Sequence, residues 1–304
     1  MDDEGSFCPT VGLKTWNRRS TMRRWSLSTL VGVAWTLSLA AFAAEAGPAS
    51  IPWSDLVLVA AMPESPALGP DLLAADPEGQ IALWNPAAAQ IHVYPSLDAV
   101  RAGDAASSFA VPAADALAWT DAGVLVLDDG RRRLDLYATT GQLVDSVTLP
   151  GLVPPGCQLD VDGDVVRAVD LFSNRRGIAT ISSSGLAPAP GGALQGPSLV
   201  VRWDQESRVL TAGDRELTLP HALKASGRIQ SSGADRWLII EAVVGDSPVR
   251  VSRQALSLRT GKVVDLPVTG RLYAPGSDLS VDGRGHLVWM APMADGLHVG
   301  EVTP

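Results

Sequence analysis

The sequence predicts an all-β protein built as a single β-propeller of about six four-stranded blades. Three observations lead to this prediction: a strand-turn-strand unit that recurs along the chain, connectors rich in proline and glycine between its copies, and the lack of a three-turn amphipathic helical pattern after residue 50. Hydrophobic residues make up 46% of the 304 residues and charged residues 19%. This composition can form a large core and carries too little charge for a disordered chain.

The clearest copy of the unit spans residues 115–149. Its parts are, in order, an apolar strand over 116–119, a turn over 120–123, a second strand over 124–127, a polar loop over 128–133, and further strands over 134–137 and 143–149. The turn contains Asp121 and Gly123. Glycine supplies the positive φ that tight hairpins need and aspartate caps the local backbone, so the pair marks the boundary between two strands.

Five further copies have the same plan and begin near residues 72, 159, 199, 228 and 278. The copy near residue 199 is short and degenerate. The turns recur on average every roughly 40 residues, which is the length of a four-stranded propeller blade. A β-sandwich, which also has short and evenly spaced strands, is the alternative, and the internal repeat favours the propeller.

The two ends of the chain predict how the ring closes. The last copy shows three strands, the final one over 297–302, whereas an additional apolar strand over 56–60 precedes the first copy. We predict that this N-terminal strand completes the last blade, because the ring then has no long open edge. The connectors over 152–156 and 186–196 are rich in proline, glycine and alanine, and we expect them not to extend the strands.

The stretch 117–141 has a distinctive order of residues. An apolar strand and an Asp-x-x-Gly turn are followed by an apolar strand ending in Asp128, a polar loop with Gly before Arg, and an apolar strand ending in Tyr137. This order resembles the NHL repeat, and the stretch 170–185, with Asn174 before two arginines, is similar to its second half. The resemblance implies a propeller fold. It leaves the function open, because such propellers serve as binding platforms and as several kinds of enzyme.

Residues 1–46 have the pattern of an N-terminal extension and signal peptide. Two arginines precede an apolar run over 27–44, and a small-x-small cleavage site follows over 44–46. We therefore expect residues 47–304 to form one propeller domain that is periplasmic or secreted. An uncleaved membrane anchor is the alternative, since the apolar run is nearly long enough to span a bilayer. No other segment predicts contact with a membrane.

The net charge of the chain argues against some classes of partner, and its cysteine content argues against disulfides. The net charge of −9 argues against binding to nucleic acid or to an anionic membrane surface. Cys157 is the one cysteine after residue 46, so an intramolecular disulfide cannot form in the exported part. A lone thiol is more often a small buried apolar side chain than a nucleophile. We expect a monomer whose stability comes from its core.

One cluster of acidic residues has the spacing of a metal site. Asp160, Asp162 and Asp164 alternate along the sequence, and their carboxylates could converge on Ca²⁺. A solvated hairpin turn is the alternative, because Val165 and Leu171 stand where calcium loops require glycine and glutamate. The four histidines of the chain have no metal-ligand spacing on one element, and no other cofactor is expected.

Two sets of side chains are candidates for binding. Arg131, Arg132 and Arg133 form a basic loop that could dock an acidic partner, and Arg175 and Arg176 occupy the equivalent loop of the next copy. Tryptophans also recur at one position of the second strand, where they would pack between blades or stack against a ligand. They are Trp84, Trp237 and Trp289.

These features favour a non-enzymatic binding platform whose partner is a protein or a glycan. The alternative is a metal-dependent hydrolase or lyase, which would need at least three carboxylate, asparagine or histidine side chains converging in the central channel of the propeller.

Overall fold

Antiparallel β-sheet is the dominant regular structure of the protein. A computed structural model describes residues 47–52, 70–170, 174–189, 195, 199–232, 235–246, 248–268, 278–293 and 295–304. Within these residues the strands form six sheets, and one short helix, α1 (Leu97–Ala102), lies between two strands of the first repeat. None of the helical structure in this part of the chain is long and apolar enough to cross a membrane.

The strands follow one another within their sheets in chain order, with one exception, β1 (Ala49–Pro52), which joins the last sheet. Sheet I contains β2 (Leu72–Ala75), β3 (Ile81–Asn85), β4 (Gln90–Tyr94) and β5 (Ser107–Ala110). Sheet II contains β6 (Ala116–Thr120), β7 (Gly123–Asp128), β8 (Arg133–Tyr137) and β9 (Leu143–Thr148). Sheet III contains β10 (Gln158–Asp162), β11 (Val165–Val169), β12 (Arg175–Ser182) and β13 (Gly185–Pro188).

The second half of the chain continues this arrangement. Sheet IV contains β14 (Val201–Asp204), β15 (Val209–Ala212) and β16 (Arg215–Thr218). Sheet V contains β17 (Lys224–Ser232), β18 (Asp235–Asp246), β19 (Val249–Ser257) and β20 (Val263–Leu266). Sheet VI contains β21 (Leu279–Val281), β22 (Leu287–Pro292), β23 (Gly296–Val302) and, at its outer edge, β1. Consecutive up-and-down sheets of this kind are the building units of a β-propeller, which supports the predicted fold.

Aspartates close the hairpins at the ends of the innermost strands. Asp76 accepts a hydrogen bond from the backbone N–H of Gln80 at 2.6 Å, and Asp282 accepts one from the backbone N–H of His286 at 2.8 Å. The two aspartates are 3% and 1% exposed, so their carboxylates replace water as partners of the turn. The prediction that aspartate caps such turns is confirmed at these two positions, whereas in the turn over 120–123 it is the hydroxyl of Thr120 that accepts the backbone N–H of Ala122.

Neighbouring sheets bury their apolar faces against each other. Between sheets II and III, for example, Leu125 and Leu134 pack with Val166 and Ile178. Similar clusters join sheets I and II, sheets IV and V, and sheets V and VI. Because alternate side chains of a strand point to opposite faces of its sheet, a sheet that packs between two neighbours has apolar side chains on both faces.

Tryptophans strengthen these sheet junctions. The indole N–H of Trp119 in sheet II donates to the carbonyl of Ala74 in sheet I at 3.0 Å, and that of Trp237 in sheet V donates to the carbonyl of Gly285 in sheet VI at 2.9 Å. Both tryptophans belong to apolar clusters, and Trp289 packs against the cluster that contains Trp237. The interpretation of the repeated tryptophans as packing residues is confirmed at Trp237.

The first and last repeats are in direct contact. Ser280 of β21 accepts a hydrogen bond from the backbone N–H of Ala75 in β2 at 2.9 Å. The hairpin turns of the two sheets also touch, because a Cβ atom placed on Gly283 would lie 2.5 Å from the Cα of Pro77. Glycine at position 283 therefore allows the close approach of sheets I and VI.

An N-terminal strand pairs with the last sheet, but at a different position from the predicted one. In the register of β1 against β23, Ala49 lies opposite Val299 and Ile51 opposite Leu297. All four side chains are buried, together with residues of sheet I. The predicted strand over 56–60 lies outside the described residues.

Two details of the sequence prediction are wrong within the described residues. In this part of the chain sheet IV has three strands rather than four, and the five residues over 219–223, including Pro220, that connect β16 to β17 leave no length for another strand. The connector predicted over 186–196 begins with residues of β13, which pairs with β12 in spite of its proline because it lies at the edge of its sheet. In sheet I, β5 supplies the fourth strand that the blade pattern predicts, at residues that the sequence analysis did not assign to a strand.

We predict that Ile51→Ala lowers the free energy of unfolding by about 2–4 kcal/mol, since it leaves a cavity where β1 packs between sheets VI and I. Urea denaturation followed by tryptophan fluorescence measures this change. Ser50→Ala is the control, because Ser50 is exposed on the same strand and its replacement should change stability by less than about 0.5 kcal/mol. Equal effects of the two substitutions would contradict a stabilising role for β1.

Candidate functional site

A small cavity lies where the first strands of the sheets meet. Its volume is about 90 Å³. The described residues that line it come from β2, β6, β10, β17 and β21 and their immediate flanks, and none comes from β14 of sheet IV. Polar lining residues are Asp115, Gln158, Asp160, Gln230, Ser231 and Ser280. The inner strands of five sheets thus surround a pocket with a mixed polar and apolar wall.

Asp160 and Arg175, which the sequence assigns to two different candidate sites, lie beside each other at this cavity. Their side chains form an ion pair, with 3.7 Å between Oδ2 of Asp160 and Nη1 of Arg175. Burial raises the pKa of Asp160, and the positive charges of Arg175 and Arg167 oppose that effect. Arg175 also donates to the hydroxyl of Ser231 at 3.3 Å, which links sheet III to sheet V.

The other two aspartates of the predicted calcium site are not among the residues that line the cavity. Asp162 is exposed and pairs with Arg167, whose Nη1 atom is 2.7 Å from its Oδ2 atom. Asp164 lies in the exposed β10–β11 turn, where its carbonyl accepts the backbone N–H of Ile181 at 2.8 Å. Each carboxylate on β10 therefore has an arginine partner. Calcium at Asp160, Asp162 and Asp164 stays a prediction.

The basic loop lies between β7 and β8. Arg131 and Arg132 are exposed, whereas Arg133 is half-buried and its Nη2 atom lies 2.6 Å from Oδ2 of Asp135. In the next sheet, Arg176 donates to the carbonyl of Leu152 at 3.4 Å. Nε of Arg131 also lies 3.4 Å from Oδ2 of Asp128, so four of the five predicted arginines have partners within the protein.

A second group of charged side chains, which the sequence did not reveal, lies at the β21–β22 turn. Among the described residues, Asp282, His286 and Glu301 form the one group in which three carboxylate or imidazole ligand atoms lie within 4.8 Å of one another. His286 Nδ1 makes a short hydrogen bond to Glu301. The two carboxylates and one imidazole are the ligand types of a divalent transition metal.

Arg284 already supplies a positive charge to this group. Its Nη2 atom lies 2.6 Å from Oδ2 of Asp282 and 3.5 Å from Oε2 of Glu301. Burial lowers the pKa of Arg284, but the hydrogen bond and charge of Asp282, together with Glu301 and Asp76, raise it further than burial lowers it. The arrangement is therefore an ion-pair network whose cation is a guanidinium, and a metal ion would have to displace it.

A third group of charges links sheets V and VI, and in it Asp278 is buried whereas Glu241 is exposed. Both terminal nitrogens of Arg253 contact the carboxylate of Asp278, at 3.1 Å for the Nη2–Oδ1 pair, and Nε of Arg253 lies 3.4 Å from Oε1 of Glu241. The side chain of Asp278 is 2% exposed. A carboxylate can be buried here because its bidentate contact with the guanidinium replaces its hydration.

Arg228 lies on the same face of sheet V as this pair. Its Nη1 and Nη2 atoms are shielded from solvent, and no acceptor among the described residues lies within hydrogen-bonding distance of either atom. Burial lowers the pKa of Arg228 to about 10, with a further lowering by Arg253 and opposing effects of Asp278 and Glu241. The guanidinium is therefore still charged at neutral pH, in a place where a charge needs partners.

Gln230 is the neighbour of Arg228 on this face of β17. Its amide nitrogen donates to the carbonyl of Leu279 at 3.1 Å, which fixes the orientation of the amide. Its Oε1 atom is buried and has no hydrogen-bond donor within the described residues. Gln230 also lines the cavity, and Arg228 lies two residues before it on the same face of β17. An arginine and a glutamine at alternate positions of an inner strand are the sequence signal that could have identified this site.

Cys157 is part of the cavity wall and belongs to the apolar cluster between sheets II and III. Burial raises the pKa of its thiol to about 12, and the charges of Asp129 and Asp115 add to this effect. The thiolate is the reactive form of cysteine, so this thiol is unreactive at neutral pH. The prediction that Cys157 is a small buried apolar side chain is confirmed by its 5% exposure.

Comparisons with known proteins identify similar folds at low similarity. No protein family model matches the chain, and no curated protein matches it. Among solved structures, the chain is similar to streptogramin B lyase, with 10% identity, a TM-score of 0.38, and coverage of 77% of this chain and 94% of that one. It is also similar to the β-propeller domain of Cps50 (Swd1) from Myceliophteria thermophila, with 10% identity, a TM-score of 0.41, and coverage of 77% and 96%. At this level of similarity, no residue of this chain takes a role from those proteins.

We predict that Cys157 in the folded protein resists iodoacetamide at pH 8, because the buried thiol carries almost no thiolate at that pH. Mass spectrometry of the peptide that contains Cys157 measures the modified fraction with time, and the same protein in concentrated urea is the control, in which modification should be complete. Rapid stoichiometric modification of the native protein would show that the thiol is accessible and ionised.

We also predict that Mn²⁺ and Zn²⁺ stabilise the variant Arg284→Met more than the native protein. The substitution removes the guanidinium that neutralises Asp282 and Glu301, so the two carboxylates and His286 become free to bind a cation. Thermal unfolding with and without each metal measures the effect. Adding Glu301→Gln to the variant should abolish it, and equal stabilisation of the native protein would mean that Arg284 does not compete with a metal ion.

Proposed function

We propose that this protein is an exported, non-enzymatic β-propeller that binds a ligand at its central cavity. In this proposal the six sheets are NHL-like blades, five of which surround the cavity, and the N-terminal strand β1 closes the ring against sheet VI. Export is supported by the arginine pair, the apolar run and the cleavage site of residues 1–46. The proposed partner is a protein or a glycan that presents a small group to the cavity.

The observation that carries the proposal is the composition of the cavity wall. Asp115, Gln158, Asp160, Gln230 and Ser231 come from three different strands or their flanks and reach one pocket of about 90 Å³. A concave site with a few convergent polar groups on an otherwise apolar wall is the usual form of a ligand site. Because the groups lie on rigid inner strands rather than on loops, they are held in place before a ligand arrives.

The partners of the cavity carboxylates favour binding over acid-base or metal-dependent catalysis. Asp160 is paired with Arg175, and Asp115 accepts the backbone N–H of Asp129 at 2.8 Å. A metal-dependent hydrolase or lyase would need three ligand side chains directed at one point of the channel. The group that comes nearest to this requirement, at Asp282, belongs to a hairpin turn and contains its own guanidinium.

Ligand binding and chemical conversion can be measured in one experiment. The purified protein is screened by thermal unfolding against sugars, sugar acids and short peptides, and each compound that raises the unfolding temperature is titrated by calorimetry. The compound is then recovered after incubation with and without Ca²⁺, Mn²⁺ or Zn²⁺ and analysed by chromatography. We expect saturable binding and unchanged compound. Conversion of the compound in the presence of metal would replace this proposal with the metal-dependent enzyme.

A pair of variants tests the position of the site. Ser231→Tyr places an aromatic ring in the cavity wall and should weaken binding by at least about tenfold, or ~1.4 kcal/mol. Ser184→Tyr makes the same change in an exposed turn of sheet III and should leave the affinity unaltered. If both variants bind as tightly as the native protein, the ligand binds elsewhere.

A further inference from the structure

Sheet V contains a buried positive charge for which the described protein residues provide no hydrogen-bond acceptor. The terminal nitrogens of Arg228 are shielded from water by sheets V and VI and lack a partner in the described part of the chain. Buried polar groups in folded proteins nearly always have partners, and each exception calls for a physical explanation. For a guanidinium the requirement is strict, because arginine remains protonated and offers five N–H donors.

The nearest carboxylate with suitable geometry is already occupied. Asp278 directs both of its oxygens to Arg253, and Nε of Arg253 lies 3.4 Å from Oε1 of Glu241. The charges of these two acids raise the pKa of Arg228, but neither acid forms an ion pair with it within 4 Å. The protein has therefore built one complete arginine-carboxylate pair on this face and, beside it, one arginine without its carboxylate.

We propose that Arg228 and Gln230 form a binding site for the carboxylate of a ligand that also carries a neighbouring hydrogen-bond donor, and that this group enters through the central cavity. The proposal rests on the function proposed above and names the chemical class of the ligand. The guanidinium would donate two parallel N–H hydrogen bonds to the planar carboxylate, in the geometry that Arg253 shows with Asp278.

Gln230 determines the second part of the ligand. Because its amide nitrogen donates to Leu279, its Oε1 atom faces the ligand as an acceptor. Along a strand, alternate residues are about 6–7 Å apart and point to the same side, so the amide oxygen reaches an atom next to a carboxylate held by Arg228. A hydroxyl or an amide N–H adjacent to the carboxylate would satisfy it. A hydroxy acid has this arrangement.

The surrounding charges favour a singly charged carboxylate over phosphate or sulfate. Two acids and one further base act on Arg228, since Asp278 and Glu241 raise its pKa and Arg253 lowers it. Arg228 and Arg253 carry two positive charges, and Asp278 and Glu241 carry two negative ones, so the four side chains together are neutral. A bound monoanion gives this group one net negative charge, whereas a dianion gives it two and meets the field of both carboxylates more strongly.

The experiment uses glycolate as the probe, with acetate, inorganic phosphate and D-glucuronate for comparison. Glycolate supplies a carboxylate and an adjacent hydroxyl, acetate lacks the hydroxyl, and glucuronate presents the same chemistry on a sugar. Calorimetry or NMR titration of the purified protein should show saturable binding of glycolate, about tenfold weaker binding of acetate, and weaker binding still of phosphate. Tighter binding of glucuronate than of glycolate would assign the carboxylate to a sugar acid, and the reverse order to a small free acid.

Three variants connect this binding to the named atoms. Arg228→Met should lose glycolate binding, whereas Arg202→Met, at an exposed position of sheet IV, should retain it. Gln230→Leu should bind acetate as the native protein does and lose the preference for glycolate. The unfolding temperature of Arg228→Met should be equal to or above that of the native protein, because the substitution removes a buried charge that has no hydrogen-bond partner.

Each contrary outcome has a definite meaning. Unchanged glycolate binding by Arg228→Met, or phosphate binding as tight as glycolate binding, overturns the carboxylate site. A fall of several degrees in the unfolding temperature of Arg228→Met would show that Arg228 is a structural residue, which also overturns it. If no carboxylate binds but another compound binds at the cavity and is displaced by Ser231→Tyr, this inference fails while the proposed function stands.

Discussion

The structure depends on the burial of both faces of its sheets against neighbouring sheets. A lone four-stranded sheet leaves a face in water, and removing that apolar face from water stabilises the protein by roughly 25 cal/mol per Å². The five apolar clusters each join two sheets, so each of these junctions stabilises the two sheets that it connects. The pairing of β1 with β23 belongs to the same constraint, because Ala49 and Ile51 fill the junction between sheets VI and I.

This constraint decides where polar chemistry can occur. Apolar faces occupy the sheet junctions, so charged groups remain at turns, at strand ends and along the inner strands. A charge that is nevertheless buried needs a partner of opposite sign, as Asp278 has in Arg253 and Asp160 in Arg175. Arg228 departs from this rule, and it lies two residues along β17 from Gln230, which lines the cavity. This buried charge, which has no hydrogen-bond partner among the described residues, makes the inner edge of sheet V a candidate binding site.

The candidate site was only partly accessible to sequence reasoning. The sequence alone predicts that Asp160 and Asp162 lie on the same face of a strand, because alternate residues of a strand share a face. Their arginine partners could not, since Arg167 and Arg175 come from neighbouring strands whose register the sequence does not specify. The group around Asp282 was missed for the same reason, as Glu301 belongs to a strand that is two positions further along in sheet VI.

The sequence by itself determined the strand-turn-strand repeat, the aspartate-capped hairpins and the burial of Cys157, because these follow from local periodicity, turn chemistry and composition. Tertiary structure alone decided that sheet IV has three strands, that its first strand does not reach the cavity, and that Arg228 lies where Arg253 has already taken the nearest carboxylate. The physical reason is one of distance along the chain. Turns are closed by neighbours in sequence, whereas the partner of a buried charge comes from another strand or its flank, as with Arg253 and Asp278, which are 25 residues apart.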